Sequence, residues 1–289
     1  MRSRLRGTEA LLQYLEGDFG VTLADLGFAP WTETVRLKDT AKHLIEYEDS
    51  QTTTQMRTGL EHLNVLLADT TITLDGGSTS GQDLSAKRLY RVFNDGSFDK
   101  GGRFYGGWWM SIPSDDRSRI LIDGEVTTEL DYSAIHCRLC YDLQGIPLPL
   151  DVDPYTIPGL EGLRSSVKVG FLTLINIGVG RRARASDEMA AALRGRMSFK
   201  AFLGTIERHH GDISGWFRSG KGVELQRLDS EIAKGVMGFM AFKAVPCLPV
   251  HDSFIVPSSM ERELRHAMNE TYAAKVRSPS DLPCYPVIG

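Results

Sequence analysis

No stretch of 18 consecutive apolar residues occurs among the 289 positions of this chain, so no membrane-spanning helix is expected. The N-terminal Met1-Arg2-Ser3-Arg4-Leu5-Arg6 is basic, but no apolar segment follows it, and a secretory leader is not expected. Cysteine is scarce. Four residues in this length do not make a disulfide framework, so a reducing cytoplasm is the expected compartment. Cys137 and Cys140 have the spacing of half a zinc site, but Cys247 and Cys284 stand far apart, so the pair reads as small apolar residues on a helix. No internal repeat and no low-complexity tract is visible. An overall positive charge is also missing, since 33 Lys and Arg face 37 Asp and Glu, for a net −4.

The distribution of charge is more informative than the total. Between Gly162 and Arg227 there are twelve Lys or Arg and only five Asp or Glu. A basic middle segment suits phosphate binding, although basic runs also occur as solvated helix faces. A hydrophobic fraction of 42% supports a normal core, in one large or two small domains.

Residues 1 to about 70 read as helical, from Leu11, Leu12, Leu15, Leu23, Leu26 and Phe28 and from the stripe Leu60, Leu63, Leu66, Leu67. A turn-rich stretch from Asp75 to Gly81 marks a boundary near residue 80. A short helix is expected over 86–93 and a strand over 104–112. Asp123-Gly124 between two β-prone runs predicts a hairpin whose second strand ends at Asp131. Helices are expected over 133–143, 165–177 and 225–244, and a second hairpin over 248–256 with His251-Asp252 at its turn. Ser258-Ser259-Met260-Glu261 has the form of a capping box. His209-His210 and Glu231 read as surface residues.

Two stretches carry the chemistry: Glu129-Leu130-Asp131-Tyr132-Ser133 and Pro249-Val250-His251-Asp252-Ser253-Phe254. Each places one aspartate where a strand should end. An Asp in that position is ordinarily a turn residue or a helix N-cap. A carboxylate against an apolar sheet is desolvated at a cost, which a divalent cation offsets. Mg²⁺ takes oxygen ligands, usually one or two carboxylates with substrate phosphates completing its shell.

With Asp99-Lys100-Gly101-Gly102-Arg103, Asp131-Tyr132-Ser133-Ala134-Ile135-His136-Cys137-Arg138, Arg164-Ser165-Ser166-Val167-Lys168 and His251-Asp252-Ser253-Phe254 in this order, the chain resembles a known core. That core is shared by family A DNA polymerases and the single-subunit, phage-type RNA polymerases, and the resemblance covers roughly residues 90 to 257. Two positions depart from the family pattern. Asn176 and Ile177 stand where the family has Tyr-Gly, and His136 stands where its DNA polymerases place a ribose-excluding glutamate.

The resemblance implies an α/β (α+β) fold of the right-hand polymerase type: an antiparallel palm sheet over 81–289, helical fingers inserted at about 145–230, and a helical N-terminal region over 1–80 that is a reduced thumb or a partner-binding module. It implies that Asp131 and Asp252 hold two Mg²⁺, with Mn²⁺ able to substitute. Arg164 and Lys168 are expected to clamp the incoming triphosphate, one as a planar fork and the other as a point charge. His136, Asn176 and Tyr132 are expected around the incoming nucleotide. Asp99, Arg103, Tyr105, Gln226 and His251 are expected to face template and primer. Arg181, Arg182 and Arg184 lie in a basic turn that either grips phosphates or faces solvent. The expected activity is template-dependent nucleotide addition without proofreading and with weak processivity. It leans to DNA-directed RNA or primer synthesis, with DNA synthesis as the runner-up and an inactive nucleic-acid-binding relative as the alternative of another class. The implied partners are a DNA template, a primer or nascent strand and nucleoside triphosphates. A helicase or other replication protein is a candidate partner, in a bacterial or phage-encoded setting.

Overall fold

Asp123 and Gly124 both take positive φ, 50° and 82°, as a two-residue hairpin turn requires. They join strand β6 (Ile120–Ile122) to strand β7 (Glu125–Asp131), which pair antiparallel as expected. Strand β7 then pairs antiparallel with β9 (Ser253–Pro257), from Thr127 opposite Pro257 to Asp131 opposite Ser253. The turn His251-Asp252 joins β9 to β8 (Leu248–Val250). With β3 (Ile72–Leu74) on the far side of β6, these strands form an antiparallel sheet in the order β3-β6-β7-β9-β8.

A second sheet has the order β2-β1-β4-β5, built from β1 (Val35–Lys38), β2 (Leu44–Ile45), β4 (Tyr90–Asn94) and β5 (Ser97–Tyr105). Its β1–β4 pair is parallel and the other two pairs are antiparallel. Gly102 of β5 has φ 85°, and a Cβ there would lie 2.7 Å from Phe93 Cε1 and 3.0 Å from Arg91 Nη2 and Ser230 Oγ, so only glycine fits.

Within residues 34–289 the described α-helices are α1 (Gln51–Asp69), α2 (Ser114–Arg117), α3 (Ile135–Asp142), α4 (Arg164–Asn176), α5 (Asp187–Leu193), α6 (Phe199–His209), α7 (Gly222–Phe242) and α8 (Glu261–Lys275). Helix α7 crosses β5 and packs on α8. Residues 143–221 contain helices and turns but no strand. The fold is mixed α/β, as expected.

The structure is a computed structural model. It describes Gln13, Tyr14, Gly17, Asp18, Gly20 and residues 33–77, 83–277, 279 and 284–289. The chain divides into two units, Met1–Glu33 and Thr34–Gly289. The apolar positions Leu11 to Phe28 and the end of the turn-rich stretch after Gly77 lie outside the described residues.

Several expectations need correction. Within residues 34–77 the apolar stripe from Leu60 to Leu67 lies on helix α1 as expected, but β1, β2 and β3 lie there beside it, so the region is not wholly helical. A boundary at 80 would separate strands that pair within one sheet, β1 with β4 and β3 with β6. Strands β1, β2 and β3 are two to four residues long, too short to show a period of two, and β1 and β3 pair with strands distant in sequence. The segment 90–94 is a strand rather than a helix, and β5 ends at Tyr105, followed by a 3₁₀ turn over Trp108–Ser111. No capping box opens α8. Instead, the Ser259 amide donates to Glu125 Oε1 at 2.7 Å, tying the helix to β7.

Candidate active site

A strand turns successive side chains to opposite faces. Leu130 and Tyr132 point into the core, with 4% and 2% exposure, while Asp131 between them is exposed. Tyr132 is therefore a core residue, packed against Phe254 and Tyr272, with its hydroxyl donating to the Met268 carbonyl at 2.7 Å. Burial pushes its pKa up. The expectation that Tyr132 meets a nucleotide is corrected by this alternation.

The Asp131–Ser253 pairing sets Asp252 at the neighbouring strand end, and the Tyr132 amide donates to the Asp252 carbonyl at 3.1 Å. Desolvation raises the Asp131 pKa, the Asp252 charge raises it further, and Lys168 pulls it back. Glu129 lies on the same face two residues earlier. It is occupied by Arg117 Nε at 2.8 Å and by the Ser253 hydroxyl at 2.5 Å. On the other side of β7, residues 287–289 pair with 131–133: the Ser133 amide donates to the Val287 carbonyl at 2.8 Å and the Gly289 amide to the Asp131 carbonyl at 3.1 Å.

Beside this pair opens a cavity of about 230 Å³. Its wall brings together Arg103 from β5, His136 from α3, Lys168 and Asn176 from α4, Gln226 from α7, and His251 with Asp252 from the β8–β9 turn. Five separate segments thus deliver seven of the expected residues to one space. Desolvation there lowers the His251 pKa, and the neighbouring Arg103 charge lowers it further.

Arg103 is fixed by Asp229, a residue of α7 with 5% exposure, through Nη2 to Oδ2 at 2.6 Å and Nε to Oδ2 at 3.2 Å. His136 Nε2 lies 2.7 Å from the same Oδ2, so it is the protonated ring nitrogen and donates. Burial works against the Arg103 charge, but Asp229 overrides it and holds the pKa up.

A second buried network supports this wall. Arg91, 1% exposed, donates to the Gly102 carbonyl at 2.7 Å, to Ser230 Oγ at 3.0 Å and to Glu231 Oε1 at 2.9 Å. Arg227 Nη1 reaches the same Glu231 oxygen at 2.5 Å. Burial lowers Arg91 to about 10, and Arg91 and Arg227 overcome burial to hold Glu231 at about 2. Glu231 is thus a tie between α7 and β4 rather than a surface residue.

Other expected residues lie apart from the cavity lining. Arg164 donates to Asp153 at 2.5 and 3.3 Å, so Lys168 is the α4 cation left to the cavity and the expected clamp is corrected. The two share a helix face, but Asp153 from the preceding loop claims the first. Tyr105 presents its ring to His251 at 6.3 Å and stacks with Tyr90 at 5.9 Å. Asp99 is exposed on β5, with its amide donating to Ser97 Oγ. Arg181, Arg182 and Arg184 are exposed on the loop after α4, with no ion pair among the described residues. His210, expected at the surface, is 1% exposed and bridges the Tyr141 hydroxyl at 2.9 Å and the Pro154 carbonyl at 3.0 Å.

The sequence reading missed Asp229, although it follows Gln226 by three positions and so shares its helix face. It also missed the occupied Glu129.

Among the described residues no cluster of three or more His, Cys, Asp or Glu could hold a metal ion. Two hard carboxylates forced together do fit Mg²⁺, which usually draws only one or two ligands of this kind from protein. No helix among the described residues is long and apolar enough to cross a membrane. No protein-family model matches the chain, and no curated protein matches it. Among solved structures it is similar to the POL domain of Pol1 from M. smegmatis in complex with DNA primer-template and dNTP, at 15% identity and a TM-score of 0.43, over 83% of this chain and 51% of that one. The chain thus spans about half the length of that solved chain.

Proposed function

We propose that this protein is a template-dependent nucleotidyltransferase that extends a 3′-hydroxyl with nucleoside triphosphates. The observation that carries the reading is the meeting of Asp131 and Asp252 at adjacent strand ends, beside a cavity whose wall includes Lys168 and Arg103. Asp131 and Asp252 would hold two Mg²⁺, which lower the pKa of the primer hydroxyl and steady the pyrophosphate leaving group when bound. Lys168 offers a compact positive charge to the triphosphate. Arg103, Gln226 and His251 line the side on which primer and template would lie, and His136 and Asn176 would face the sugar. The protein's work is positioning and charge stabilisation rather than covalent chemistry.

We take ribonucleotides as the preferred substrates. His136 presents no carboxylate, and Asn176 is too small to crowd a 2′-hydroxyl. The Asp-Tyr-Ser form at residues 131–133 favours deoxyribonucleotides as the second reading. The decisive assay offers primed and unprimed DNA templates, Mg²⁺ or Mn²⁺, and labelled NTPs or dNTPs. Extension should occur with the wild type and vanish in Asp131→Asn and in Asp252→Asn. Turnover at the wild-type rate in either variant would sink the two-metal reading.

A further inference from the structure

We infer that Asp229 is a positioning residue that locks His136 and Arg103 into one unit, so that recognition of the incoming sugar is coupled to the grip on the primer end. The inference rests on the proposed nucleotidyl transfer, because that reading gives the two partners their separate tasks. The geometry itself is independent of it. One carboxylate oxygen, Asp229 Oδ2, lies 2.6 Å from Arg103 Nη2 and 2.7 Å from His136 Nε2. The two donors are themselves 3.3 Å apart. With Nε2 protonated to donate, it cannot accept from Arg103, so the carboxylate alone holds the two together. The arrangement also fixes the histidine tautomer. Nδ1 is the one ring nitrogen left for a further hydrogen bond, and it has no partner among the described residues.

His136 and Arg103 come from different elements, α3 and β5, and both line the cavity. Asp229 stands behind them with 5% exposure. A carboxylate so placed does not touch the reactants. It sets the angle at which an imidazole and a guanidinium enter the space they share. Its anchorage is firm, because the next two residues of α7, Ser230 and Glu231, are both bound by Arg91. A displacement of His136 by an ill-fitting sugar would therefore pull on the same oxygen that orients Arg103.

The test has an arm that does not depend on turnover. In the wild type labelled with ¹⁵N-histidine, long-range ¹H–¹⁵N spectra should show a protonated, hydrogen-bonded Nε2 for the signal that disappears in His136→Asn. An unprotonated Nε2 in that signal overturns the inference outright. In the activity arm, Asp229→Asn should keep the fold, checked by circular dichroism, and lower kcat/KM by roughly tenfold to a hundredfold. The loss should appear in KM for the nucleotide and also in extension from a mismatched primer end. Adding His136→Asn to Asp229→Asn should cost less than the product of the separate losses, because the residues act as a unit. Multiplicative losses, or a loss confined to thermal stability, overturn the coupling. If no variant or wild type extends a primer while the Nε2 signature is present, the nucleotidyl-transfer reading has failed and the lock itself stands. If Asp229→Glu folds but neither restores the signature nor recovers rate over Asp229→Asn, carboxylate positioning is wrong.

Discussion

At the scale of single residues, the site is a balance of like and unlike charge. Asp131 is held above its ordinary pKa by partial desolvation and by Asp252, with Lys168 and a backbone hydrogen bond pulling down. Removing one of the two repelling carboxylates should relax the metal-free protein. Asp131→Asn is expected to raise Tm in EDTA by about 1–3 °C, while Mg²⁺ should stabilise the wild type and leave the variant unmoved. Equal Mg²⁺ responses in a thermal shift assay would remove Asp131 from the metal site. Lys168→Ala should slow the single-turnover step at saturating nucleotide on the order of a hundredfold, the scale of one missing charge donor in a preorganised site. Because Arg164 is already spent on Asp153, its alanine variant should lower stability rather than rate, and rapid-quench kinetics on both variants separates the two roles. The aspartates were legible in the sequence because strand endings and the Asp-Gly turn are local signals. Asp229 was not, because its meaning depends on two partners, Arg103 and His136, each more than 90 positions away.

At the scale of elements, hairpins and helices followed from short-range pattern, while pairing did not. The β6–β7 and β8–β9 hairpins and helices α3, α4 and α7 lie within a few residues of their expected bounds. The strands β1, β3 and β4 escaped notice because each is short and closed by a distant neighbour. Helix α3 illustrates how such elements are then bolted together. His210, at the end of α6, donates from Nε2 to the Pro154 carbonyl and accepts at Nδ1 from the Tyr141 hydroxyl of α3. Burial, with the His209 charge second, lowers its pKa from 6.5 to about 4. The unfolded chain therefore binds the proton more readily between those values. The stability this group contributes is present above about pH 6.5 and is lost as pH falls toward about 4. Urea unfolding at pH 7 and pH 5 should differ on the order of 2 kcal/mol from this group. The difference should shrink in His210→Gln, and an unchanged pH dependence would mean the histidine is not held neutral.

At the scale of the whole molecule, a chain of net −4 carries its cations where a polyanion could use them. The loop after α4 exposes Arg181, Arg182 and Arg184 within one short stretch. If it grips template phosphates, replacing the three with alanine should flatten the plot of log affinity against log salt by roughly one unit for each phosphate no longer neutralised. Fluorescence anisotropy with a primed template at several salt concentrations measures that slope. Identical slopes would assign the loop to solvent. Whole-molecule organisation was the least legible level. The expected boundary at residue 80 cuts through two sheets, because a domain limit is set by which strands pair, and composition records only where a turn is easy.

The pairing of β7 with β9 has a consequence for how the protein comes into being. Asp131 and Asp252 are separated by 121 residues of chain. A ribosome working at about 5–20 residues per second needs roughly 6–24 s to deliver the second after the first. Through that interval the β7 edge waits without its partner strand β9, and the nascent chain holds Asp131 without Asp252. Closing so long a loop is also entropically slow. Activity should therefore appear in a single late step during refolding, after most helical signal has returned, and truncations ending before Asp252 should be inert however well their helices form.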